Sequence, residues 1–231
     1  MVVARASGPS DWPRGRGQRT GRWVAAGRPS LAVDRRVGAV GVLLALVSDR
    51  LTLGPPWLPL AIVLLLSIPL TIASVRGRHD LRRPLAFLGL TTITVFVASG
   101  ALFLVRQLFE GSAEGSYLLS GAGAIWAANF LTFSLWYWEI DAGGPGERMR
   151  DHHVSSDFLF PQLQIGDGRS SGGWSPRFVD YMFVAFNAST AFSPTDTLIL
   201  SRRVKVLMMV QALISLVTVV VLAARAVNTL R

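Results

Sequence analysis

The sequence predicts an all-α fold, a polytopic membrane helix bundle of about six hydrophobic segments, one of them short enough to re-enter the bilayer. Three observations predict it. Apolar residues come in long uncharged blocks, neither alternating nor amphipathic, which is the arrangement lipid demands. Of the 231 residues 51% are apolar and only 16% charged, against ~25% charged in soluble domains, so a water-soluble fold lacks the polar surface to cover its apolar one. The formal charge of +9 comes from 23 basic residues, all arginine except Lys205. They cluster between the apolar blocks, as topology signals do, and that placement argues against a nucleic-acid partner.

Residues 1–30 read as a disordered basic cytoplasmic tail, with Arg5, Arg14, Arg16, Arg19, Arg22 and Arg28 among Gly, Pro and Ser. Its expected neighbour is the anionic headgroup layer of the lipid bilayer. A four-helix membrane region follows over 31–138. Its first block, Val37–Leu53, is the weakest and carries Asp49 and Arg50 at one end, where headgroups tolerate them. The pair Arg35-Arg36 imitates a twin-arginine signal, but the n-region is too long and no small-x-small cleavage site follows, so the segment is expected to stay attached. Trp57–Val75, Pro84–Val105 and Tyr117–Trp138 are uncharged blocks of about twenty residues, the length that spans ~30 Å as helix. The last of them ends in Trp136, Tyr137 and Trp138, where an interfacial aromatic belt belongs. Small-xxx-small spacing at Gly41/Ala45 and Ser120/Ala124/Ala128 suits close helix contact.

Residues 139–177 form a polar loop rich in Gly and Ser. Within it Asp151, His152, His153 and Asp157 invite a metal reading, but no further ligands cluster there and a solvated loop is favoured. Gly143-Gly144-Pro145-Gly146 lacks the strand-turn-helix setting of a phosphate loop. The remaining unit, 178–231, is a short helix, a turn and a long helix. Phe178–Phe192 reaches only about 22 Å as helix, so it either crosses without tilt or re-enters, whereas Val206–Ala224 is long enough to span. The arginine clusters put the N-terminus inside under both alternatives and leave the side of the C-terminus open.

A short apolar helix, a small-polar turn ending in Asp196, a basic step and a long apolar helix together resemble the pore element of two-helix potassium channels. Thr190-Ala191-Phe192-Ser193-Pro194-Thr195-Asp196 falls where that family carries T-V-G-Y-G-D. The departure is chemical. A potassium filter aims successive carbonyls at the ion, which needs glycine's backbone freedom. Here Ser193 and Thr195 replace both glycines and Pro194 fixes φ between them. The resemblance therefore implies a pore-like pair without a potassium-selective filter. The same residues admit a structural reading: Ser193 as N-cap, Pro194 at the first helical position and Asp196 completing a capping box for the last helix.

The run Asp180, Tyr181, Phe183, Phe186, then Ser193 and Asp196, then Ser201, Arg202 and Arg203 before a long apolar helix is similar to a family of uncharacterised bacterial multi-pass membrane proteins. The arginine-rich composition, with abundant Ala and Gly, looks like that of a GC-rich bacterial genome. These resemblances imply a bacterial cell (inner) membrane and no particular activity.

Polar residues inside the blocks are the candidates for function. Gln211, Ser215 and Thr218 share one face of the last helix with Arg225, Asp180 and Asn187 share a face of the short one, and Thr92, Ser99 and Arg106 align on the third block. Such faces serve interhelical hydrogen bonding or line a hydrated path. With Thr190, Ser193, Thr195 and Asp196 they make the candidate pore or polar face. No catalytic constellation is present, the absence of Cys excludes thiol chemistry, and no cofactor or metal is expected. The reading is a non-enzymatic membrane protein, channel-like or transporting, whose pore element implies a homo-oligomer. The alternative is a membrane scaffold or assembly partner that transports nothing.

Overall fold

The computed structural model describes residues 79–110, 115–145, 147–148, 155–164, 174–190 and 196–229. The tail 1–30, the segments Val37–Leu53 and Trp57–Val75, the pair His152-His153, and Ser193 and Thr195 lie outside the described residues. Helix α1 covers His79–Glu110 and α2 covers Gly115–Ile140, followed by a single 3-10 turn over Asp141–Gly143. Then come strand β1 (Phe158–Leu159), one turn of helix α3 (Pro161–Gln164), α4 (Phe178–Ser189), β2 (Leu198–Ile199) and α5 (Arg202–Thr229). Among the described residues, three stretches are helices long and apolar enough to cross a membrane: Arg83–Glu110, Ser116–Gly143 and Arg202–Ala224. They contain the predicted blocks Pro84–Val105, Tyr117–Trp138 and Val206–Ala224.

Helix α2 is the axis of the bundle, in contact with α1, α4 and α5. Its buried stripe runs through Leu118, Ala122, Ile125, Ala128 and Asn129 to Phe133. The predicted small-residue stripe is therefore rotated: Ala128 lies in it, but Ser120 is exposed, and Gly121 and Ala122 are the buried small residues at that end. α1 packs on α2 and α5, and α4 packs on the same two helices. The pair α2/α5 thus separates α1 from α4. Burial is one-sided on the outer helices, and α1 turns Leu88, Val95, Leu102 and Phe109 outward at seven-residue spacing. Thr92 and Ser99 bond carbonyls of their own helix, and Arg106 is exposed and pairs with Glu110. An interhelical bond of α1 falls instead on Thr94, whose Oγ1 accepts from Trp136 Nε1 at 2.9 Å.

The chain reverses after α2 through three consecutive left-handed residues, Ala142 (φ 48°), Gly143 (φ 81°) and Gly144 (φ 96°). Glycine is the residue for such angles, and a Cβ on Gly144 would meet the Glu139 carbonyl oxygen at 3.0 Å. The Gly-Gly-Pro stretch is thus a turn. β1 and β2 form a two-residue antiparallel ladder, Phe158 opposite Ile199 and Leu159 opposite Leu198.

This ladder corrects one expectation. Ser193–Asp196 does not open the last helix, because Asp196–Leu200 is bent and then extended and α5 begins at Arg202. Its cap is Ser201, whose Oγ accepts from the Val204 N–H at 3.4 Å.

Candidate functional site

Two polar clusters tie α4 into the bundle, one at each of its ends. The first is built on Asp141, fully buried just past α2. Its Oδ1 accepts from the backbone N–H of Asp157 (2.7 Å) and of Phe158 (3.3 Å) and from the Ser156 hydroxyl (2.9 Å). Its Oδ2 accepts from Tyr181 OH of α4 at 2.5 Å. A buried carboxylate needs such donors to offset lost hydration. Arg148 brings an opposite charge to the cluster: its Nη1 donates to the carbonyls of Asp141 (2.8 Å) and Trp138 (2.9 Å), and its guanidinium lies 4.5 Å from the Trp138 ring centroid. The Tyr181 ring is set edge-on to Trp138, Phe158 and Phe160.

Asp157 continues this cluster to α5. In place of the solvated loop expected there, it is buried and receives Arg203 Nε at 2.9 Å and Nη2 at 2.6 Å. Burial pushes its carboxyl pKa up most strongly of any single influence. Hydrogen bonds from Arg203 and Ser201, the Arg203 charge and the Ala142 backbone together outweigh burial and hold the group below the usual carboxylate range. Sequence reasoning passed over this clamp and Asp141. The available signal was Tyr181 and Arg203, both already singled out in the family-like run.

The clamp fixes direction. Tyr181 near the start of α4 and Arg203 at the start of α5 both meet the C-terminal end of α2. α4 and α5 are therefore parallel to each other and antiparallel to α2. α4 has 12 residues, about 18 Å at ~1.5 Å per residue. It stops beside the middle of α5.

The second cluster sits at that stopping point. The last four carbonyls of a helix have no partner within it. Gln211 Nε2 donates to the Ala185 carbonyl at 2.6 Å and to Ser189 Oγ at 2.7 Å. Ser215 Oγ and Trp126 Nε1 both donate to the Ser189 carbonyl, the latter at 3.2 Å. Thr190 supplies the local cap, its N–H and hydroxyl bonding the carbonyls of Phe186 and Asn187. Gln211 is fixed in turn by Tyr137 OH, which donates to its Oε1, and by Asn129 Nδ2, which donates to its backbone carbonyl at 3.1 Å. Asn129 Oδ1 and Thr132 Oγ1 are buried without a hydrogen-bond partner among the described residues.

Of the candidate face, then, Gln211, Ser215 and Thr190 meet at the C-terminal end of α4. Thr218 is buried on the same face of α5 but bonds carbonyls of its own helix, those of Ile214 and Ser215. Asp180 is at the other end of α4, where its Oδ2 accepts the Arg177 N–H at 2.6 Å as a cap. Asn187 lies on the outer side of α4, its Nδ2 donating to the Phe183 carbonyl at 3.0 Å. Asp196 is exposed in the bend before β2. Comparison of the chain with protein families, with curated proteins and with solved structures gives no match.

Proposed function

We propose that this is a multi-pass membrane protein of channel-like or transport type, in which α4 enters the bilayer as a half-helix and the chain returns to the side it came from. The observation that carries the reading is the shared origin of α4 and α5 at the Asp141 end, with α4 ending beside Gln211 and Ser215. Those residues lie about 14–20 Å into α5 at ~1.5 Å per residue, near the middle of a ~30 Å hydrocarbon core. Half-helices that end at the midplane are the parts from which transport proteins build ion and substrate sites. The C-terminal end of such a helix carries about half a negative charge, which favours a cation. Glycines are absent from the turn 190–196, so selectivity for potassium by a carbonyl filter is not expected.

Charge placement supports the same topology. Arg83, Arg148, Arg177, Arg202, Arg203 and Lys205 all belong to element ends at the Asp141 side, while Arg106 is near the opposite end of α1. A cytoplasmic Asp141 end satisfies the bias of basic residues toward the inside, with the N-terminus cytoplasmic in a bacterial cell membrane. A scaffold without transport is the second reading, favoured by the closure of the Ala185 and Ser189 carbonyls by Gln211, Ser215 and Trp126. Flux of sodium, potassium and protons from liposomes holding the purified protein separates the two. The transport reading expects cation leak above empty liposomes. Leak equal to that of empty liposomes, from protein that still melts cooperatively, selects the scaffold.

A further inference from the structure

We propose that Gln211 gates the half-helix: its carboxamide holds the place of a cation at the end of α4 and withdraws onto Asn129 to free it. The inference deepens the transport reading and rests on it. Gln211 Nε2 touches two oxygens at once, the Ala185 carbonyl at 2.6 Å and Ser189 Oγ at 2.7 Å. All three residues are buried. Carbonyl and hydroxyl oxygens are what a dehydrated monovalent cation takes in place of water. An amide NH2 offers two donors to the same pair, so Gln211 shuts the site by imitating its ligand. Ser215 and Trp126 hold the Ser189 carbonyl independently, and α4 stays docked when Gln211 leaves.

A gate needs a second position, and Asn129 supplies it. Asn129 is fully buried, and its Nδ2 donates to the Gln211 main-chain carbonyl at 3.1 Å. Its Oδ1 has no partner among the described residues. A buried acceptor without a donor costs free energy, so the shut state carries a penalty that the second position relieves. The orphaned oxygen belongs to the carboxamide that already touches Gln211, within the sweep of that residue's long side chain. Moving Nε2 from α4 to Asn129 Oδ1 exchanges one set of bonds for another, the condition for a two-state element. Tyr137 OH, which donates to Gln211 Oε1, is the catch that favours the shut position.

Sodium and potassium flux from liposomes holding the whole chain tests the gate. Tyr137→Phe keeps the ring packed on Phe133 and Phe158 and removes only the catch. It is expected to raise flux several-fold over the natural protein, and Gln211→Ala to raise it further. Asn129→Leu removes the second position and is expected to lower flux several-fold. Asn129→Leu combined with Gln211→Ala should conduct like Gln211→Ala alone, because without the gate its resting place is irrelevant; a mere packing defect would carry over to the double variant. Flux unchanged in Tyr137→Phe and Gln211→Ala, with the natural protein above empty liposomes, overturns the gate alone. Where Gln211→Ala does not melt cooperatively, Tyr137→Phe alone decides. Unchanged flux in Asn129→Leu, or a loss that persists in the double variant, overturns the withdrawal onto Asn129. Leak equal to that of empty liposomes from the natural protein and both gate variants, all melting cooperatively, overturns the transport reading and the gate with it.

Discussion

Single residues carry distinct and separable costs here. Asp157 is buried against a half-exposed Arg203, so removing its charge loses a charge-assisted pair while the guanidinium regains water. Asp157→Asn is expected to lower stability by about 1.5–3 kcal/mol, read by thermal melting in detergent. Because the folded carboxyl titrates below its usual range, its contribution is complete above the unfolded value of about 4 and is lost as pH falls through the folded value. The melting temperature of the natural protein should therefore drop on acidification below about pH 4 more steeply than that of Asp157→Asn. Backbone angles give a second pair. Ala142 holds φ 48°, so Ala142→Gly should stabilise by roughly 0.5–1 kcal/mol, whereas Gly144→Ala should destabilise by about 1–2 kcal/mol. Thr132 buries an unpartnered hydroxyl among the described residues. Thr132→Val keeps the shape and should be neutral or stabilising by up to about 1 kcal/mol; a clear loss instead would mean that the hydroxyl serves a bound group.

At the level of elements, α4 depends on its neighbours for both ends. Gln211→Leu strips donors from the Ala185 carbonyl and Ser189 hydroxyl together and leaves Tyr137 OH without its acceptor. At roughly 0.6–2 kcal/mol per interhelical bond, it should cost about 2–4 kcal/mol. Thr218→Val, equally buried but bonded within α5, should cost less than about 1 kcal/mol. Melting both variants in the same detergent checks the contrast. Gln211 and Ser215 were legible in the sequence, since polar residues in an otherwise apolar block stand out by type and spacing. Their partners were not legible, because the carbonyls of α4 carry no sequence signature and meet α5 only through the tertiary fold. The start of α5 departs from the capping alternative for a related reason. Ser193–Asp196 has the composition of a helix cap, but the two-residue strand Leu198–Ile199 is too short to leave a period, and its pairing with Phe158–Leu159 delays the helix to Arg202. The three long helices were legible because an uncharged run of about twenty residues has few other uses.

For the whole molecule, the sidedness of its ends is the accessible measurement. A reporter inserted in the 139–177 loop and one beside Asp196 are expected on the same, cytoplasmic side, and one after Arg231 on the other. Opposite sides for the first two would make α4 a full crossing. Deleting residues 2–30 should leave insertion intact, judged by resistance of the protein to carbonate extraction, since that stretch holds no apolar block. The dependence of α4 on α5 also sets an order of events during synthesis. α4 emerges first and can rest at once on α2, which already offers Asp141 to Tyr181 and Trp126 to the Ser189 carbonyl. Gln211 and Ser215, the donors to the Ala185 and Ser189 carbonyls from α5, come later in the chain. On the proposed half-helix topology, a ribosome that stalls before Arg202 would leave a product whose Ala185 carbonyl lacks its donor from α5. Such a fragment should be short-lived in cells beside the chain that includes α5, because α5, once in place, removes the feature by which a membrane protease would know the fragment as unassembled.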